Sequence, residues 1–111
     1  MLELLSPDII WHVPGISPIA GDHRGFAQVV EYFERRRRLA STTMRMRPGV
    51  ANVYGNAVVQ CVEGTAVLNR EPVSWQTLGI YCIAIEQAAI REAWLVPLDS
   101  DLFDRIWSGF N

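Results

Sequence analysis

The chain has no lysine. All ten of its basic residues are arginine, and against twelve acids they leave a formal net charge of −2 over 111 residues. That balance is the opposite of the basic surface expected of a nucleic-acid binder. Cysteine is scarce: Cys61 and Cys82 are the only two. There is no CxxC and no Cys/His ligand spacing, so neither a zinc centre nor any other metal is expected. Both cysteines sit in apolar, strand-like surroundings and read as small buried hydrophobes with free thiols. No charged-then-apolar leader opens the chain, and no apolar run approaches the ~18 residues of a membrane span. The expectation is a cytoplasmic protein with no membrane partner and no cofactor. Linkers, repeats and low-complexity stretches are also missing, so residues 1–111 read as a single domain.

What is present is an ordinary apolar half, a charged fifth and four tryptophans. Charge is uneven along the chain: Arg35 to Arg47 is basic, and Glu86 to Asp104 is mostly acidic. Met1 to Ser6 is leucine-rich and reads as the last turn of a helix ending before Pro7. Ile9 to Val13 is a short apolar strand that breaks at Pro14-Gly15. The chain then passes through Pro18 and Gly21, a density of breakers that predicts a shaped loop. Gly25 to Ala40 is the clearest helix. Phe26, Val29, Val30 and Phe33, with the stem of Arg37, recur at helical spacing as one apolar stripe. Arg35 to Arg38 fall in its last turns, where cations complement the helix dipole. Glu31 with Arg35 and Glu34 with Arg38 are i,i+4 pairs. This accounts for the arginine run more economically than nucleic-acid contact does.

The remainder predicts four strands in an antiparallel meander. Thr42 to Tyr54 carries an irregularity at Pro48-Gly49. Gly55-Asn56 signals a tight hairpin. Ala57 to Asn69 follows, with Gly64 as a bulge or bend, and Asn69 to Pro72 connects to Val73 to Ile85. Glu86 to Ala89 turns the chain into Ile90 to Val96, and Pro97 closes that strand. Asp99 to Trp107 is a short final helix with Asp99 or Ser100 as N-cap. A helix followed by long strands on short turns implies an α+β domain with a strongly curved sheet. A helix on the concave side of such a sheet leaves a hollow for a small ligand.

Trp11-His12-Val13-Pro14-Gly15, then Ser17 to Asp22, then Arg24-Gly25, resemble the SnoaL-like polyketide-cyclase group. That group belongs to the nuclear transport factor 2-like superfamily, with the ketosteroid isomerases and limonene epoxide hydrolases. The resemblance runs from Leu2 to about Trp107. It implies a curved antiparallel sheet, mixed at its edge, forming a cone around helices, with a deep apolar pocket and usually a homodimer through the outer sheet face. In the resembled group a long first helix precedes this point and covers one side of the cone. This chain begins where that helix should be finishing, so a truncated first helix is expected.

The resemblance also suggests a site. His12 matches the position of the isomerases' base and of a water-binding asparagine in the epoxide hydrolases. It is thereby expected to face the pocket as acid or base, a role for which imidazole needs little tuning. Trp94 alternates with Val96, the group's pocket-facing position. Phe33, Tyr81, Leu78 and Trp11 complete the expected wall. The partners of the two known reactions are absent, because Leu78 stands where the isomerases carry an acid. Val59, Cys61 and Val96 stand near the hydrolases' charged set. Trp75 and Trp107 read as core or interface packing. Asp22-His23 could be taken for a dyad, but adjacent residues rarely share a face. Arg45 and Arg47 share one strand face and read as solvated. The functional expectation is a domain that binds a small apolar or partly polar molecule, with isomerase, cyclase or hydratase chemistry through His12. The alternative is a non-catalytic ligand-binding or dimerisation module of the same fold.

Overall fold

The computed structural model of the chain describes residues 2–40 and 42–108. Its order is a 3-10 turn at Leu2–Leu4, then β1 (Leu5–Val13), β2 (Gly21–Arg24), α1 (Phe26–Leu39), β3 (Arg45–Tyr54), β4 (Ala57–Leu68), β5 (Glu71–Ala84), β6 (Ala89–Pro97) and α2 (Ser100–Ser108). The six strands form one open sheet in the order β2-β1-β6-β5-β4-β3. β3 to β6 are the antiparallel meander, and β1 joins β6 in parallel, which makes the sheet mixed.

The leading leucines do not end a helix. After the 3-10 turn the chain is already strand at Leu5, four residues earlier than the apolar run suggests. Pro7 is accommodated because the β1–β6 register shifts between Leu5 and Ile10, the kind of irregularity where a missing N–H is tolerated. Met1 lies outside the described residues. The Pro/Gly-rich segment is also not loop throughout. Gly21 to Arg24 pairs antiparallel with β1, setting Asp22 opposite His12 and His23 opposite Trp11. A four-residue strand with two charges has no periodicity to announce it. The loop that remains is tied to α2, where Ile16 N–H donates to Asp104 Oδ1 at 3.0 Å.

In α1 the buried residues are Val29 and Tyr32, with Phe33 packed against the core. Phe26 is exposed, and so is Arg37, at 79 % of its side chain. The inward stripe is therefore rotated about one residue from the one the periodicity suggests. The four arginines diverge: Arg35 reaches the Pro18 carbonyl, Arg36 lies over the Tyr32 and Phe33 rings, and Arg37 and Arg38 both lie beside Glu34. α2 starts where expected, with Leu102 N–H donating to Asp99 Oδ1 at 3.0 Å as an N-cap.

Along the meander, the irregularity at Pro48-Gly49 is real: the β3–β4 register shifts between Pro48 and Ala51. Gly64 is neither bulge nor register break, since it pairs with Met46 and with Trp75. A Cβ there would stand 2.3 Å from the Trp75 indole, so the glycine lets the ring lie flat across β4. Gly79 does the same on β5 for Tyr81, whose hydroxyl would be 2.3 Å from such a Cβ. The connection after β4 is only Asn69-Arg70; Glu71 and Pro72 already pair with Leu68 and Val67.

Both helices cover one face of the sheet. Ile9, Trp11, Val29, Tyr32, Ala93, Phe103, Ile106 and Trp107 meet there as the core. β3 and the near half of β4 extend beyond the helices, and every residue of β3 is exposed.

Candidate functional site: a cavity on the helix-covered face

Strand alternation decides what faces the helices. On β5 the inward residues are Trp75, Thr77, Gly79 and Tyr81. On β6 the inward wall is Leu95, and on β1 it is Trp11. Together with α1, α2 and the inner residues of β3 and β4 they line a cavity of about 730 Å³ that is open to solvent on one side. Its walls are mainly apolar, with seven aromatic residues among the twenty that line it. Trp11 packs edge-on to Phe33 at 5.0 Å between centroids and lies 5.9 Å from both Tyr32 and Tyr81.

Of the residues singled out from sequence, Trp11, Phe33 and Tyr81 line this cavity. His12, Leu78, Trp94 and Val96 do not. They alternate with Trp11, with Thr77 and Gly79, and with Leu95, and so lie on the opposite face of the sheet. The reason is register. Alternation correctly separates His12 from Trp11, but the face that meets the core is fixed by the helices, and a one-residue offset sends the whole set outward. The cavity-lining residues of β1, β5 and β6 still include no carboxylate, so the isomerase and epoxide-hydrolase sets remain absent there.

On the outer face His12 is held on both sides. Its Nδ1 lies 2.7 Å from Asp22 Oδ1 and its Nε2 lies 2.6 Å from Glu92 Oε2. A neutral imidazole has one N–H, so donating to both carboxylates is the geometry of the imidazolium. Partial burial works to lower the His12 pKa, but the hydrogen bonds to Glu92 and Asp22 outweigh it and raise it above its ordinary 6.5. The hydrogen bond to His12 lowers the Asp22 pKa. The ring stacks on Trp94 at 5.3 Å and 14°, a placement that favours the cation. With both nitrogens occupied and the sheet between, His12 is not poised to exchange a proton with anything in the cavity. His23 points the other way, its Nε2–H donating to the Ile19 carbonyl at 2.9 Å and its ring stacking on Tyr32 at 4.6 Å. Asp22-His23 is therefore no dyad; the pairing that exists is Asp22 with His12.

Sequence reasoning missed Tyr32, Arg36 and Thr77. Tyr32 is 1 % exposed, and its hydroxyl has no hydrogen-bond partner. The Trp11 indole nitrogen and the Thr77 hydroxyl are likewise buried and unpaired. All three residues line the cavity. Burial pushes the Tyr32 pKa up, while the nearby Arg36 charge and the Trp11 N–H pull against it. Burial also raises that of Tyr81, and Arg36 opposes it there too. The available signal in sequence was Tyr32 itself, one residue before Phe33 on the same helix. Cys61 and Cys82 are free, as expected, but half-buried on the outer face rather than in the core. Among the described residues no three His, Cys, Asp or Glu group as a metal site. No described helix is long and apolar enough to cross a membrane.

A six-stranded mixed sheet with its helices on one face and a hollow beneath them can be compared with solved structures. A Burkholderia pseudomallei protein of unknown function, described as NTF2-like (nuclear transport factor 2-like), superposes with a TM-score of 0.79 at 16 % identity, over 97 % of this chain and 82 % of that one. The fold is nuclear transport factor 2-like. A Xanthomonas campestris protein of unknown function, described as having a cystatin-like fold, is 27 % identical over 94 % of this chain and 80 % of its own, with a TM-score of 0.80. A Sinorhizobium meliloti protein provisionally named a polyketide cyclase matches at 16 % identity and a TM-score of 0.63, over 85 % and 76 % of the two chains. No protein-family model matches the chain, and no curated protein matches it in sequence. The nuclear transport factor 2-like resemblance read from the Trp11 to Gly25 segment thus holds at the level of fold, including the mixed sheet.

Proposed function

We propose that this nuclear transport factor 2-like domain binds a small, largely apolar molecule in the cavity between α1, α2 and the inner sheet face. The observation that carries this reading is a mainly apolar cavity of about 730 Å³, lined in part by aromatic rings, with three buried polar groups on its wall that complete no hydrogen bond. Buried polar groups are normally satisfied, and aromatic walls with a few convergent polar groups are what ligand cavities are made of. Trp11, Phe33 and Tyr81 are the contact residues retained from the sequence reading, and Trp75 and Leu95 join them. The acid/base role suggested for His12 is not carried into this cavity.

The test is a titration with N-phenyl-1-naphthylamine, a neutral aromatic dye, followed by quenching of tryptophan emission. Saturable binding at one site per chain is expected. Val62→Trp, which fills the cavity from β4, should weaken it at least about tenfold, the effect of losing ~1.4 kcal/mol. Non-saturable dye uptake, or uptake indifferent to Val62→Trp, would reject the reading.

The outer face supports a second role, self-association. Leu78, Trp94 and Val96 lie there beside Ile80 and the two cysteines, and Val96 is 40 % exposed. We infer that this apolar face pairs with its copy in a homodimer, the arrangement suggested by the family resemblance.

A further inference from the structure

Resting on the cavity reading above, we infer that the ligand carries an anionic oxygen, of the carboxylate or phenolate kind, on its aromatic or polycyclic body. That oxygen is received by Tyr32, Trp11 and Arg36. The Trp11 indole N–H can only donate, and the Tyr32 hydroxyl can donate. Both are buried and line the cavity, and neither completes a hydrogen bond: the Trp11 N–H and the Arg36 guanidinium lie near the Tyr32 hydroxyl, whose own proton has no acceptor. Arg36 stands next to them. Its guanidinium carbon lies 5.7 Å from the Tyr32 ring centroid and 5.1 Å from that of Phe33. Among the described residues no carboxylate lies within ion-pair distance of Arg36. The neighbouring Glu34, which also lines the cavity, is half exposed and sits beside Arg37 and Arg38.

Three donors, one of them a permanent cation, therefore lie near one another on the wall of a mainly apolar space. A ligand without an acceptor oxygen would leave the Trp11 and Tyr32 donors unsatisfied. A neutral carbonyl would satisfy those two, but only an anion also offsets the charge of Arg36, which is half-buried beside the cavity. An anionic oxygen satisfies all three. Charge-assisted hydrogen bonds are the strong ones, and Arg presents a fork suited to a carboxylate. The flat rings of Phe33, Trp75 and Tyr81 set the shape of the rest of the ligand, and the unpaired Thr77 hydroxyl on β5 offers a second polar point for it.

The experiment compares three naphthalene probes that differ in the one substituent at position 2: 2-naphthoate, its methyl ester, and 2-naphthylmethylammonium. Each is titrated alongside the neutral dye. The carboxylate is expected to bind roughly tenfold or more tightly than the ester, the usual scale for one charge-assisted contact. The ammonium is expected to bind weakest. Tyr32→Phe and Arg36→Gln should each bring the carboxylate-to-ester ratio towards one. Tyr32→Phe should melt at or above the parent temperature, because it removes an unsatisfied group. Equal binding of carboxylate and ester by the parent, or preference for the ammonium, overturns the inference while dye binding leaves the cavity standing. If neither the dye nor any probe binds, the cavity reading itself falls. A ratio unchanged in both variants overturns the assignment to Tyr32 and Arg36. A Tyr32→Phe chain that melts well below the parent would show the hydroxyl to be satisfied and remove the premise.

Discussion

At the scale of single residues, two buried or half-buried polar groups are treated in opposite ways. His12 has more partners than it can serve when neutral, and Tyr32 has none. An unsatisfied buried hydroxyl costs about 1–3 kcal/mol, and folded domains do not keep such groups without cause. The cause argued above is a ligand. For His12 the consequence is a stability that depends on pH. Its folded pKa is raised, so its contribution is complete below the ordinary 6.5 and is lost as pH rises through the folded value. The lowered pKa of Asp22 acts the other way, contributing fully above its ordinary 3.8 and fading as pH falls through the folded value. Between those two ordinary values both contributions are present. Denaturant melts of the parent should therefore weaken as pH rises beyond the ordinary histidine range, and His12→Gln should flatten that decline. At pH 6 the variant should be destabilised by about 1 kcal/mol, the scale of a partly exposed charge-assisted contact. A decline of equal depth in His12→Gln would assign it to other groups.

At the scale of elements, the hairpins show how local chemistry and local strain coexist. The β4–β5 turn holds Asn69 at φ 52° and Arg70 at φ 68°. Two positive φ values in a two-residue loop match the right-handed twist of the flanking strands, and Asn-Gly is the favoured pair there. Asparagine is at the first position, but arginine occupies the second, where an L-residue with a Cβ is disfavoured by about 1–2 kcal/mol. Arg70→Gly should therefore stabilise the chain, by about 0.5–1 kcal/mol once the greater freedom of glycine in the unfolded chain is subtracted. A thermal midpoint that drops would show that the Arg70 side chain contributes more than its backbone costs. Gly64 and Gly79 serve a different purpose on the same two strands. They are cavity-side positions without a Cβ, across which Trp75 and Tyr81 lie flat. The aromatic wall of the site depends on them.

At the scale of the whole molecule, the two faces of the sheet have separate tasks. The inner face builds the core and the cavity. The outer face carries an apolar band bordered by Asp22, His12 and Glu92 on one side and by the Arg47–Glu63 pair on the other. If that band is a dimer interface, sedimentation at micromolar concentration should give twice the chain mass, and Val96→Arg should shift the protein to monomer. The change buries an unpaired charge in the pair, a loss of about 2–5 kcal/mol on the scale of such truncations and insertions. A parent chain that sediments as a monomer at that concentration removes the proposal and leaves the cavity untouched.

Much of this architecture was written in the chain itself. The 3.6-residue recurrence from Val29 to Phe33, the turn at Gly55-Asn56, the register break at Pro48-Gly49 and the cap at Asp99 are local signals, and each fixes its element through its own backbone chemistry. The Trp11 to Gly25 segment pointed to the fold. Period-two alternation also placed His12 opposite Trp11, and Trp94 together with Val96. It could not tell which member of each pair looks inward, because both faces of these strands are apolar enough to be buried. Only the docking of α1 and α2 made that choice. It brought Trp11, Phe33 and Tyr81 to the cavity and put His12, Leu78, Trp94 and Val96 outside. The site's polar end also belongs to tertiary structure alone. Trp11 comes from a strand, and Tyr32 and Arg36 come from a helix that reads in sequence as amphipathic packing and solvated charge. Packing leaves the Trp11 N–H and the Tyr32 hydroxyl buried without a completed hydrogen bond and sets Arg36 beside them, and no local pattern in a sequence records that.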